Sequence, residues 1–197
     1  MNKTKMEQRC FWPQNDTLMI AYHDQEWGVP VFDDNKLFEF IVLDSFQAGL
    51  SWKTILYKRE NFRKAFADFN AKKIVKFDES KIQELLQDIG IIRNELKIRA
   101  TIKNAQAFLT VQKEFGNFHS YIWQFTKEKT ILNNWKTHKE IPVSTLESDT
   151  MSKDLKKRGF SFVGTTICYA FMQAAGMVND HTTDCFRHKE IVKIAKK

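Results

Sequence analysis

Apolar residues recur at helical spacing along nearly the whole chain, and only seven glycines and three prolines interrupt them. Leu37, Phe38, Ile41 and Val42 follow the cap residues Asp33, Asp34 and Asn35, and Trp52, Ile55, Leu56, Phe62, Phe66 and Phe69 follow Ser51. Asp78 is placed to cap a helix carrying Ile82, Leu85, Leu86 and Ile89, with Gly90 at its end. Ile98, Ile102, Ala105, Phe108, Leu109 and Val111 form another apolar face before Phe115, and a further helix is expected from Thr165 to Ala175. No sustained two-residue alternation bounded by hairpin turns occurs, so the predicted class is all-α. The polar, aperiodic stretch from Thr126 to Ser148 reads as a loop, and no repeat or linker divides the 197 residues. One domain over 1–197 is expected, with two helical lobes sharing a core and a basic tail at 186–197.

The run from Phe40 to Trp52 holds a single charged residue, Asp44, among apolar and aromatic neighbours. An ionised carboxylate buried without a partner costs several kcal/mol or more, so Asp44 must be paired, protonated, solvent-facing or held for a ligand that carries positive charge. The remainder of the sequence favours the ligand.

Composition narrows the class further. No run of about 18 uncharged apolar residues is present, and the N-terminal MNKTKMEQRC lacks the apolar core of a signal peptide, so the expected location is cytoplasmic. The net charge is +7, from 31 Lys and Arg against 24 acids, which suits a polyanionic partner without demanding one. Basic residues gather at Arg93, Lys97, Arg99 and Lys103, at Lys153, Lys156, Lys157 and Arg158, and at Lys193, Lys196 and Lys197.

Three cysteines without a secretory signal make no disulfide framework. Cys168 lies in an apolar helical run and reads as a small buried thiol. Cys10 and His23 near one end, with His181 and Cys185 near the other, offer a closed tetrahedral Cys2His2 set of the kind zinc accepts. The rival is that the four are unrelated, since neither half has a zinc-finger spacing; His188 is a substitute ligand, and His119 and His138 stand alone. Between Leu155 and Phe171 one helix ends, a glycine turn follows and another begins at Gly164-Thr165, where free backbone N–H groups suit an anion.

Taken together, Arg9-Cys10, Trp12, Ala21 to Pro30, Gln47 to Trp52, Lys157 to Tyr169 and Asn179-Asp180-His181 resemble the DNA-3-methyladenine glycosylase I family. The likeness spans about Glu7 to Cys185, and its motifs are long and ordered. It implies an all-α helix-hairpin-helix glycosylase fold with a structural zinc joining the terminal segments, and excision of 3-methyladenine from alkylated double-stranded DNA in base excision repair. By that resemblance Cys10, His23, His181 and Cys185 hold the zinc, Trp12, Tyr22 and Trp52 wall the base pocket, and Asp44 recognises the base. Gln47, Gly49 and Leu50 belong to a turn that enters the duplex, with Leu50 as the wedge, and Gly159, Gly164, Thr165 and Thr166 belong to a hairpin that grips phosphates. Asp180 stands where the wider superfamily carries a catalytic aspartate, or else orients the zinc ligands.

Each assignment has a plainer rival: Trp12 and Trp52 as core aromatics, and Tyr22 as packing beneath the metal site. The tail, with Ile191, Val192 and Ile194, offers a capping helix or one that touches DNA, and the favoured expectation is a solvated helix. Two departures from the family pattern fall in the pocket itself. Asp44 replaces the usual glutamate and is shorter by about 1.5 Å of reach, and Met19 stands where an aromatic is common. The alternative function is therefore a DNA-binding relative with lost or altered base specificity. Nothing in the sequence demands more than a monomer.

Overall fold

Side-chain caps fix where most of the helices begin, and the computed structural model describes residues 8–196. Asp16, Asp33, Ser51, Asp78 and Asn94 each accept a hydrogen bond from a first-turn backbone N–H, starting α1 (Thr17–Gln25), α2 (Asp34–Gln47), α3 (Trp52–Ala65), α5 (Glu79–Gln87) and α6 (Glu95–Phe115). The short α4 (Ala71–Ile74) and α7 (Phe118–Ile122) are capped in the same way by Asn70 and Asn117. Thr145 and Ser148 form a reciprocal capping box at the start of α8 (Leu146–Lys157). By contrast, α9 (Thr165–Ala174) opens on Gly164 with no side-chain cap, and α10 (Phe186–Ile194) follows Cys185.

The core is built around α2. Every residue from Leu37 to Phe46 on that helix is buried, and α3, α6, α7 and α9 pack against it. A helix apolar all round belongs inside. Phe38, Phe40, Phe46, Phe62, Phe66, Phe69 and Phe118 are fully buried, each worth roughly 1.5–3 kcal/mol of burial. Beside them runs a buried ionic network: Arg59 donates to Glu39 at 2.6 Å and to both oxygens of Glu26 at 2.8 Å, while Arg63 and Lys36 complete the pairing of the two glutamates.

The structure corrects several expectations at their edges. Among the described residues the regular structure is helical apart from one two-residue parallel pair, β1 (Ile131–Leu132) beside β2 (Val178–Asn179), too short to leave a pattern of alternation. The expected loop from Thr126 to Ser148 includes β1 and a 3-10 turn at His138–Glu140, and it ends three residues early because Thr145 caps α8. α5 stops at Gln87, before Gly90, because the Asp88 carboxylate turns the chain by accepting from the Gly90 N–H at 2.7 Å; Ile89 is exposed. The tail is more than a solvated helix: α10 buries Ile191 and His188 against the body, and Lys197 lies outside the described residues.

One crossing brings the two ends of the chain together. Gly28 N–H donates to Gln173 O at 3.0 Å and Val31 N–H to Ala175 O at 3.1 Å, so the segment after α1 runs across the end of α9. Gly176 has φ +70, and a Cβ there would lie 2.3 Å from the Val29 carbonyl carbon. Only glycine permits this approach.

Candidate base pocket and metal centre

A cavity of about 430 Å³ opens where α1, α2, α3 and α9 meet. Trp12, Tyr22, Asp44 and Trp52 line it, as the sequence predicts, and Gln47 reaches it from the end of α2. The aromatic walls interlock: Tyr22 lies 5.0 Å from Trp52 and 6.2 Å from Trp12 between ring centroids. Met19 lines the cavity as well. Thus Trp12, Tyr22 and Trp52 are both packed and pocket-facing; the core and binding readings are not exclusive.

Three polar atoms of this pocket are without partners. Trp12 Nε1, Trp52 Nε1 and Asp44 Oδ2 are buried and make no hydrogen bond. Buried polar groups are nearly always satisfied, so three orphans in one cavity mark a place where a ligand completes the set. Asp44 is only 2 % exposed. Burial pushes its carboxyl well above the ordinary value of 3.8, opposed only by the charge of Arg59. Tyr22 is likewise raised well above 10.0, by burial first and then by Asp44. On its other side Asp44 adjoins an apolar void of about 10 Å³ lined by Ile41, Leu155, Val163, Ile167, Cys168 and Phe171, too small for more than one water.

Several lining residues escape a sequence reading. Trp27 and Tyr169 add aromatic surface, Gln173 adds an amide, and Ile141, Pro142 and Val143 from the loop before α8 form the outer wall. His138, expected to stand alone, also lines the pocket and stacks on exposed Phe11 at 5.4 Å. A wall contributed by an irregular loop carries no periodicity by which it can be found. The hydropathic pattern of α9 places Tyr169 and Gln173 on a helix without saying what they face.

The Asp180 carboxylate is fully engaged within the protein. Its oxygens accept hydrogen bonds from Asn133 Nδ2, Trp135 Nε1, Tyr169 OH and Gln173 Nε2, at 2.7 to 2.8 Å. Its carboxylate makes no hydrogen bond to the four metal-ligand candidates and holds two pocket residues, Tyr169 and Gln173, to the chain after β1. The carboxylate that does reach a ligand is Asp24, which accepts from His23 Nδ1 at 2.7 Å and is itself held by Arg9.

Cys10, His23, His181 and Cys185 converge, all buried, with their ligand atoms within 4.8 Å of one another. Sulfur-to-nitrogen separations are 3.5 Å from Cys10 to His181, 3.5 Å from Cys185 to His23 and 3.6 Å from Cys185 to His181. Tetrahedral coordination with bonds of about 2.3 Å to sulfur and 2.0–2.1 Å to nitrogen requires edges of about 3.5 Å. The donor set therefore fits a metal ion. Hydrogen bonds from Cys10, His181 and His23 hold the Cys185 thiol far below its usual range, while pairing with Cys185 pushes Cys10 up. His181 Nε2 donates to Trp27 O at 3.0 Å, fixing the other ring nitrogen toward the centre. His188 is not a ligand: it bonds to Asn133 O at 2.9 Å. Because Trp12 follows Cys10 by two residues and Tyr22 precedes His23, the centre anchors two walls of the pocket.

Of the DNA-contact candidates, Gln47 and Thr166 line the cavity and the others do not. Gln47 to Leu50 close a turn through Leu50 N–H to Gln47 O at 2.6 Å, with Gly49 at φ +80 and the Leu50 side chain 41 % exposed. The hairpin between α8 and α9 contains Gly159 at φ +93 and Phe162 at φ +56. Thr166 faces the pocket, while the Thr165 hydroxyl is engaged by Asp149 and Ser148. Of the basic clusters, Arg99 pairs with Glu79 and Glu95, and Arg158 pairs with Glu114 and Asp154 over the Phe115 and Tyr121 rings. Lys97 points inward.

Comparison with known proteins agrees with this geometry. The sequence model of the methyladenine glycosylase family matches residues 12–188. The chain is 51% identical over 178 residues to DNA-3-methyladenine glycosylase 1 of Escherichia coli strain K12, covering 90% of this chain and 95% of that protein. It is 48% identical over 180 residues to the DNA-3-methyladenine glycosylase of Haemophilus influenzae, covering 91% and 97%. A crystal structure of 3-methyladenine DNA glycosylase I superposes with a TM-score of 0.89 at 51% identity, over 91% of this chain and 98% of that one. The Staphylococcus aureus 3-methyladenine DNA glycosylase I, solved for the structural basis of 3-methyladenine recognition, gives 0.88 at 31% identity over 90% and 95%. With the pocket, the hairpin and the cysteine-histidine centre in place, this chain belongs to the methyladenine glycosylase family.

Proposed function

We propose that the protein is a monofunctional DNA glycosylase of base excision repair that removes 3-methyladenine from alkylated duplex DNA and leaves an abasic site. The observation that carries the reading is the trio of unpartnered polar atoms, Trp12 Nε1, Trp52 Nε1 and Asp44 Oδ2, in one aromatic cavity.

A glycosidic bond cannot be reached inside a duplex, so the damaged nucleotide leaves the stack and enters the pocket. Leu50 fills the space it vacates, and the uncapped start of α9 after Gly164 binds a backbone phosphate. Adenine alkylated at N3 in DNA is a cation. Aromatic faces attract a cation by roughly 0.5–2 kcal/mol each, and Trp12, Tyr22 and Trp52 supply three. Burial raises the Asp44 carboxyl above its ordinary value; a cationic base offers the charge that burial denies it, so the base favours the Asp44 carboxylate, which accepts its N–H. Neutral adenine gains little from either effect, which is the basis of selectivity.

The cationic base is already a good leaving group. The bond between its ring nitrogen and the sugar C1′ breaks with both electrons going to the base, which departs neutral. The oxocarbenium-like sugar, stabilised by the Asp44 carboxylate, takes a water molecule at C1′ and loses a proton to become the abasic sugar. No strong general acid is needed.

The centre of Cys10, His23, His181 and Cys185 is proposed to hold structural zinc, a closed set with no position left for water. When bound, the metal contributes folding energy and keeps Trp12 and Tyr22 in place.

Chromatographic release of free base from methylated duplex DNA tests the reading. Wild type should release 3-methyladenine, and Asp44→Asn should lower the rate by about a hundredfold or more. No release by wild type, with release gained in Asp44→Glu, would show that the shorter carboxylate had cost the chain its chemistry.

A further inference from the structure

Lys97 sits in the first turn of α6, a poor place for a cation beside the positive end of a helix dipole. Its side chain leaves that turn and is buried, 7 % exposed. The ammonium donates to Phe46 O at 2.8 Å and to Ala48 O at 2.7 Å, two carbonyls at the C-terminal end of α2. That end needs a partner. α2 has no basic residue in its own last turn and no backbone hydrogen bond from its C-cap, and the next residues form the turn from Gln47 to Leu50. A lysine from another helix therefore caps α2 where the wedge turn begins.

The same ammonium lies 5.9 Å from the centroid of Phe162, the hairpin residue at φ +56. Two further contacts tie this hairpin to the same helices. Ser45 Oγ on α2 donates to Phe162 O at 3.2 Å, and buried Asn104, two turns along α6 from Lys97, exchanges two hydrogen bonds with the Ser161 backbone at 2.7 and 3.0 Å. A Phe in the left-handed region is strained and persists only where its surroundings fix it.

We infer that Lys97 is a positioning residue that joins the wedge turn and the phosphate hairpin into one rigid unit, setting where Leu50 stands relative to the gripped backbone. It does not line the base pocket. The inference rests on the glycosylase reading above. Its consequence is specific: loss of Lys97 impairs work on a duplex and leaves recognition of a free base alone.

The experiment compares wild type, Lys97→Met, Leu50→Ala and the double variant by single-turnover excision from methylated duplex DNA, and by tryptophan-fluorescence titration with free 3-methyladenine. Lys97→Met should slow duplex excision about tenfold to a hundredfold, since a displacement near 1 Å carries penalties of that order. Its affinity for the free base should stay within about twofold, and the double variant should be little worse than Leu50→Ala, because both act through one wedge. A parallel fall in free-base affinity, or losses that multiply in the double variant, would overturn the inference. Should Lys97→Met fail to fold, Lys97→Arg carries the same comparison, since a planar guanidinium retains the charge but cannot set one compact ammonium between two carbonyls. If wild type itself released no base, the glycosylase reading would fall first, a result distinct from a Lys97 variant that matches an active wild type.

Discussion

Asp44 combines two demands that oppose each other. Its carboxyl is raised above the ordinary 3.8 because the pocket is dry, so the folded protein retains a proton that the unfolded chain has already lost. Where the native state binds more protons, stability falls as pH rises, from the unfolded value up to the folded one. Asp44→Asn removes that dependence. The variant should gain stability relative to wild type as pH rises above the ordinary carboxylate value of 3.8, as read from urea denaturation at a series of pH values. A constant difference would mean that the carboxylate is already ionised in the folded protein. On the proposed mechanism the same substitution removes the charge partner for the base, so stability gained here would be function lost. Asp44 was legible in the sequence because a lone charge in an apolar run demands a reason. Trp27, Gln173 and the Asp180 network were not, because their role depends on contacts across long stretches of chain that no local pattern records.

At the scale of elements, helix starts were legible at Asp33, Ser51 and Asp78, where a cap precedes a clear apolar period, but not at Thr145, where the cap lies in a polar stretch. The β1–β2 pair was not, since two residues make no period. Nor was the crossing at Gly176, whose necessity comes from the Val29 and Pro30 backbone rather than from its neighbours in sequence. Gly176→Ala combines left-handed strain with a Cβ forced against main chain at 2.3 Å. A loss of about 3 kcal/mol or more is expected, measured by urea unfolding, because neither backbone can yield without separating the terminal segment from α9. Leu50→Ala is the opposite case. Its side chain is partly exposed and should shift stability by no more than about 0.5 kcal/mol, yet slow excision from duplex DNA. A large stability loss in Leu50→Ala would show that the residue belongs to the core rather than to the wedge.

Across the whole molecule, the four buried ligand candidates bring together the two ends of the chain: Cys10 precedes α1 and His23 lies on it, and His181 and Cys185 precede α10. These segments have other attachments, including Phe186 N–H to Gln8 O at 2.9 Å and Arg9 over the Phe186 ring, so removal of metal should loosen them without dissolving the α2 core. A ligand held at a thousand times its dissociation constant stabilises by about 4 kcal/mol, and each kcal/mol moves the melting point of a protein this size by about 2–4 °C. Stripping zinc with a chelator should therefore lower Tm by about 10 °C, and amide hydrogen exchange should rise in residues 8–27 and 179–194 before it rises in α2 or α6. Cys185→Ser should show the same pattern together with loss of one zinc per chain by elemental analysis. Since Trp12 and Tyr22 move with Cys10 and His23, affinity for free 3-methyladenine should fall in the stripped protein, whereas Lys97→Met spares it. An unchanged melting point and exchange pattern after verified metal removal would mean that hydrogen bonding alone joins the two ends, and that the four residues converge for packing.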